Sequence, residues 1–235
     1  MFARIAHALA EPDDVGSATQ RIVTLAKTVL ACDSSAVWSL TPQDQLRLHA
    51  ATDPKLAKYF GEMVGKVREG MAWECLRSHS TVRIADIRND HRWPSYRAEV
   101  LRSAQPLLSA VGYSLGGDDG HLGALIVASR RAGFFTDELM ELGAIFAEHA
   151  ALSLEAVASE QRARNLEVAL NSNRRIGMAI GILMMEHRIQ EGRAFDLLRA
   201  ASQNTHRKLR EVAEDVILTG ALPSSPRGRL ESVAI

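Results

Sequence analysis

The sequence predicts an α/β domain, one antiparallel sheet flanked by helices, joined by a long coiled-coil helix to a small all-α three-helix bundle. Three observations carry that expectation. Short alternating apolar runs, separated by turn signals and interleaved with helical patterns, fill the first 130 residues. No Gly or Pro interrupts residues 144–176. Three blocks of helical periodicity with short links follow, the clearest at Leu209, Val212, Ala213, Val216 and Ile217. At 235 residues the chain has room for one medium domain and one small one. The small one cannot bury much core alone.

The elements follow in order. Phe2, Ile5, Ala6 and Leu9 suggest a helical arm over residues 1–12, ended near Pro12. Asp13-Asp14 opens a better helix through Ile22, Leu25, Ala26, Val29 and Leu30. Residues 35–40 and 46–50 read as a hairpin about the turn signal Thr41-Pro42-Gln43-Asp44. Pro54 starts a helix through Leu56, Tyr59, Phe60 and Met63. After Gly70, residues 73–77 read helical and 82–84 as a short strand. A loop over 86–95 and a helix over 99–104 are expected next. Residues 108–115 and 122–128 form the second hairpin, turning at 116–120. Thr136 is a candidate N-cap, with Asp137 and Glu138 in the first turn of the long helix.

The expected organisation is an α/β domain over 13–156, a coiled-coil helix over 137–173 that overlaps its end, a bundle over 166–220 and a disordered tail over 221–235. Along the helix, Leu139, Leu142, Phe146, His149, Ala156, Ala163 and Leu170 fall near one seam. Ala156 and Ala163 allow close approach, so the helix is expected to pair with its copy in a parallel homodimer.

Within the last third, Ala179-x-Gly181-Ile182-Leu183-Met184, then Ala194-Phe195-x-x-Leu198-Arg199, then Lys208-Leu209-x-x-Val212-Ala213 resembles the ANTAR domain of bacterial antitermination regulators. The three blocks stand in that family's order and spacing. The resemblance implies a three-helix bundle that binds RNA stem-loops in nascent transcripts and prevents a terminator from forming, reaching RNA polymerase only indirectly. Gln190-Glu191 departs from the Ser or Thr cap of relatives, and Ile180 from a polar or basic residue. The first two thirds resemble the GAF sensor fold. The carrying residues are Gly70-x-x-Trp73-Glu74, Val82-x-x-x-Asp86-Ile87-x-x-Asp90-x-Arg92-Trp93-Pro94, Leu122-Gly123-Ala124-Leu125 and Phe135-Thr136-Asp137-Glu138.

On these readings the RNA-binding candidates are Arg174, Arg175, Arg199, Arg207, Lys208 and Arg210 for phosphates, Asn204 and Thr205 at the turn into the third helix, and the small residues Ala179 and Gly181 for close approach. A small-molecule pocket would be lined by Trp38, Trp73, Trp93 and Tyr113, its ligand unidentified; a core and dimer surface without a ligand is the competing reading.

Composition narrows the rest. Lys plus Arg equals Asp plus Glu at 28 each, and residues 151–235 carry only two more basic than acidic residues. Charge alone therefore names no nucleic-acid partner. There is no membrane-length apolar run and no signal-peptide pattern, so a cytoplasmic protein is expected. Cys32 and Cys75 have no metal spacing, and no His pair has one. No cofactor and no catalytic activity are expected, because no phosphate-binding loop, nucleophile elbow or cyclase motif occurs. A second reading is a non-enzymatic sensor whose bundle docks a protein partner. A DNA-binding repressor fits the weak charge poorly.

Overall fold

A computed structural model describes residues 14–104, 106–117 and 120–223. The expected arm at 1–12 and all but the first three residues of the expected tail lie outside the described residues. The chain divides into two units, Met1–Gln161 and Arg162–Ile235.

The first unit holds α1 (Val15–Val29), β1 (Ser34–Leu40), β2 (Leu46–Ala51), α2 (Pro54–Val67), α3 (Met71–Ser78), β3 (Val82–Ile84), α4 (Pro94–Arg102), β4 (Ser109–Gly117), β5 (Gly120–Ser129) and the start of α5 (Asp137–His187). The five strands form one antiparallel sheet in the order β2-β1-β5-β4-β3. Strand alternation divides the apolar residues between two cores. Val37, Val111, Tyr113, Leu115, Leu125 and Val127 point to one side, where α1 and α5 cover them with Ile22, Leu30, Phe146 and Leu154. Ala36, Trp38, Ala110, Ala124 and Ala128 point to the other, under Ala57, Val64, Met71, Leu76 and Val100 of α2, α3 and α4. Each large side chain so buried contributes about 1.5–3 kcal/mol.

Local chemistry sets the ends of the helices. The Asp14 carboxylate accepts from the Ser17 N–H at 3.0 Å, and Asp53 accepts from the Leu56 N–H at 3.0 Å with Pro54 next in line. Gly70 stands at φ 115°, and a Cβ there would lie 2.7 Å from the Tyr96 ring, so both backbone and space demand glycine. Helix α4 begins at Pro94, five residues before the expected start. Its cap is not local: the Glu69 carboxylate accepts from the Ser95 N–H and Oγ, both at 3.1 Å. Thr136 does cap α5, its hydroxyl accepting from the Leu139 N–H at 3.3 Å.

The expected helical seam is corrected here. Phe146 is fully buried against the sheet, and Leu139 and Leu142 pack on the same core. Those three residues serve their own domain. His149, Ala156, Ala163 and Leu170 are exposed.

The second unit is the end of α5 with α6 (Glu191–Thr205) and α7 (Leu209–Thr219). Ala179, Leu183, Ala194, Leu198, Ala201, Val212, Ala213 and Val216 make its core, with alanines letting the helices come close. Helix α5 ends where Arg188 takes a left-handed φ of 52° and the Ile189 N–H donates to the Met184 carbonyl. Gly220 closes α7 at φ 73°. Gln190 occupies the α6 N-cap in extended geometry, but its side chain makes no capping bond. Gln190→Asp is therefore expected to stabilise this unit by about 1 kcal/mol. Thermal unfolding of the intact chain checks it; an unchanged or lowered transition would show that this end is already satisfied.

Candidate functional sites

In the bundle, the candidate residues separate by what already holds them. Arg174, Arg199, Asn204, Lys208 and Arg210 are exposed. Arg175 pairs with Glu214 at 2.7 Å. Arg207 pairs with Asp215 and lies 3.9 Å from Glu211, and the Asp215 hydrogen bond holds its guanidinium pKa above the usual value. Two of the expected phosphate ligands are thus already bound to carboxylates. Thr205 is not at the entry of α7 but in the last turn of α6, where its hydroxyl donates to the Ala201 carbonyl at 2.7 Å. Ala179 is fully enclosed in the bundle core, so its methyl group packs helices and cannot meet a ligand.

Gly181 behaves differently. It is exposed, and a Cβ built on it would meet nothing within 4 Å; the same holds for Gly177, one turn earlier. No neighbour among the described residues explains either glycine. Beside them Met178 is exposed, and Met185 is 82% exposed. Arg188 and Arg193, on either side of the α5–α6 link, are also exposed and hold no carboxylate among the described residues. The sequence signal for these two was available: basic residues bracketing a helix break. Lys208 is the N-cap of α7 and Arg210 lies in its first turn, where free N–H groups already favour an anion.

The sensor-side candidates are largely corrected. Trp73 is packed: its indole N–H donates to the Val64 carbonyl at 3.1 Å, and the guanidinium carbons of Arg77 and Arg68 lie 4.7 and 5.2 Å from its ring centroid. Trp93 carries the Arg92 guanidinium at 4.3 Å and meets Tyr96 edge-on. Tyr113 is on the opposite face of the sheet, its hydroxyl donating to the Met140 carbonyl at 3.2 Å. Of the four, Tyr113 lines a more open hollow beside Ala144, Ala147 and Glu148 of α5, and Trp38 lines a separate cavity under α2, α3 and α4.

That cavity, about 80 Å³, lies between the sheet and α2, α3 and α4, with Phe60, Val64, Ile84, Tyr96 and Ile126 in its walls. The space comes from alanines. Ala36, Ala110 and Ala128 on the sheet and Ala57 and Ala72 above it are too short to close the gap. Sequence reading looked for large aromatics, which fill space rather than leave it.

Both thiols are buried, which pushes Cys32 up to about 11 and Cys75 up to about 12, so they stay protonated near neutrality. No group of three or more His, Cys, Asp or Glu side chains is placed to hold a metal ion.

Comparison with known proteins places this architecture. The GAF domain model matches residues 14–154, more than half of the chain. The chain belongs to the GAF domain family. A second match, to the ANTAR domain, covers residues 164–217. The protein therefore joins a GAF sensor domain to an ANTAR domain, a domain of the RNA-binding antitermination kind. The GAF domain of a phosphoenolpyruvate-protein phosphotransferase from Coxiella burnetii superposes with a TM-score of 0.54 at 16% identity, covering 68% of this chain and 94% of that one. Its counterpart from Acinetobacter gives 0.51 at 15%, over 67% and 92%. A free methionine-R-sulfoxide reductase from Neisseria meningitidis, solved with its substrate, gives 0.52 at 15%, over 67% and 88%. At these identities the likeness is one of fold. No curated protein matches the chain. Among the described residues no helix is long and apolar enough to cross a membrane.

Proposed function

We propose that this protein is a cytoplasmic, non-enzymatic, homodimeric antiterminator whose GAF domain governs stem-loop RNA binding by its ANTAR bundle. One observation carries the RNA reading. The bundle's core is closed, yet Arg174, Arg188, Arg193, Arg199, Lys208 and Arg210 remain exposed without carboxylate partners among the described residues, beside a backbone laid open at Gly177 and Gly181. Unpaired cations are what phosphates need, and open glycines let a helix come close to a nucleic-acid backbone.

The test is an electrophoretic shift with stem-loop RNA, against duplex DNA of equal length. Lys208→Ala with Arg210→Ala is expected to lower the slope of log affinity against log salt by roughly 1.4–1.8, and to weaken cognate and scrambled stem-loops alike. Arg207→Ala, which removes a side chain held by Asp215, should change the slope far less. Gly181→Leu should weaken binding without loss of stability, since leucine is the better helix former and has open space there. Equal slopes for the Lys208/Arg210 double variant and the unmodified protein would refute phosphate contact. A specific observation supports a second reading, protein docking: Met185 and Leu218 are exposed on the same unit. Unchanged RNA binding in all these variants would favour it.

A further inference from the structure

The walls of the GAF cavity restrict what it can hold. Ser34, Ala128 and Ala110 are successive cross-strand partners on β1, β5 and β4, and Ile84 of β3 faces Ala110. The result is a row of short side chains across three strands, roofed by Phe60 and Val64 of α2. Among the described residues no charged side chain lines it. An ion placed there would lose its hydration and gain no counter-charge, a cost that excludes phosphates and carboxylates. The N–H and O–H groups on the side chains of its walls are the hydroxyls of Ser34 on the sheet and Tyr96 on α4 and the indole N–H of Trp38 on β1. Neither hydroxyl is bonded to a described residue. Burial pushes the Tyr96 phenol well above its usual pKa, so it remains a neutral donor. A volume of about 80 Å³ far exceeds the ~10–15 Å³ one water needs and falls below the ~150 Å³ of an apolar cavity that takes benzene.

We infer that this cavity binds a small uncharged molecule, smaller than a six-membered ring and carrying one hydrogen-bonding group, and that such a molecule rather than a nucleotide or other anion is what the domain senses. The apolar body packs on the alanine row, and its one polar group meets a hydroxyl of Ser34 or Tyr96. The second half of this inference rests on the sensor reading above; the first half does not.

The experiment uses the intact protein with four probes: 2-propanol, isobutanol, the charged isostere isobutyrate, and cyclic AMP. Thermal unfolding is expected to shift upward, dose-dependently, with 2-propanol or isobutanol at low millimolar concentration, and not with isobutyrate or cyclic AMP. Ala128→Val and Ala110→Val fill the row and should each weaken the neutral probes by at least about tenfold, a methyl-scale loss of space in a cavity this small. Should either variant fail to fold, Trp38 supplies a second readout. Its fluorescence should respond to the neutral probe in the unmodified protein, and Trp38→Phe should abolish that response. No shift with either neutral probe, or an equal shift with isobutyrate, overturns the ligand class. Stem-loop affinity measured in the same titrations separates the two halves. A neutral probe that binds and leaves RNA affinity unchanged overturns the sensing half alone. Cyclic AMP that binds and alters RNA affinity overturns the ligand class and leaves the sensor reading standing.

Discussion

Leu152→Glu combined with Leu166→Glu is expected to turn a dimer into a monomer and to weaken stem-loop binding by roughly 10²- to 10⁴-fold. The argument starts from the outer face of α5. Ile145, His149, Leu152, Ala156, Ser159, Ala163, Leu166, Leu170 and Asn173 are spaced alternately by four and three residues, and all are exposed. Leu152, Leu166 and Leu170 are each at least 60% exposed. An apolar stripe with this spacing is the seam of a two-stranded coiled coil. Leu152 and Leu166 take the position that favours two strands when it is leucine, and Ala156 and Ala163 each meet their own copy where bulk would hold the helices apart. Burying each leucine contributes about 1.5–3 kcal/mol, and a pair of glutamates at each level adds repulsion. On the proposed function a dimer would present two bundles to the RNA, and the loss of that linkage sets the size of the expected effect. Light scattering and gel shifts check both parts. Val168→Glu, an exposed apolar site off the stripe, should leave the mass unchanged. A monomer mass for the unmodified protein at micromolar concentration, or an undisturbed dimer in the double variant, would refute the seam.

Gly143→Ala is expected to destabilise the GAF unit by about 2–4 kcal/mol and to lower its unfolding temperature by about 5–15 °C. Gly143 lies in α5 where the helix crosses β4. A Cβ on it would stand 2.1 Å from the Tyr113 hydroxyl and 2.5 Å from its ζ carbon. The phenol cannot step aside, because Tyr113 is fully buried and its hydroxyl donates to the Met140 carbonyl. Overpacking of this kind costs about 1–3 kcal/mol, and the displaced hydrogen bond about 0.5–1.5 more. Tyr113→Leu in the same chain should restore part of the loss, so the two changes together cost less than their sum. Additive effects, or an unfolding temperature untouched by Gly143→Ala, would show that the helix moves outward freely.

What the sequence revealed depended on whether the deciding partner was local. The hairpins were legible from alternation and turn residues, and the caps at Asp14 and Thr136 from their own first turns. The start of α4 was not, because its capping carboxylate, Glu69, stands 26 residues upstream of Ser95. The seam was misphased at its beginning. The first turns of α5 have apolar residues on two faces, and nothing in the chain's order says whether Phe146 or Ile145 meets the sheet. The basic residues of the bundle look alike in sequence, yet Arg175 is taken by Glu214 across 39 positions while Arg174 is left open. The cavity was misread for a related reason: its shape follows from alanines brought side by side by strand register, a property of pairing and not of any one segment.

Arg83 gives the sensor domain a short mechanical linkage. Its guanidinium donates to Asp137 at 2.9 Å and to the Phe135 carbonyl at 2.7 Å, gripping the first turn of α5, while its own backbone belongs to β3 beside cavity-lining Ile84. Its Nε is buried with no hydrogen-bond partner among the described residues, so these two contacts are what seat the group. Strand β3 has three residues and a single neighbouring strand, so fewer pairings hold it than hold any other strand of the sheet. A push on Ile84 from within the cavity therefore has one residue to travel before it becomes a pull on the root of the helix. The lever is stiff where it grips and soft where it is pushed.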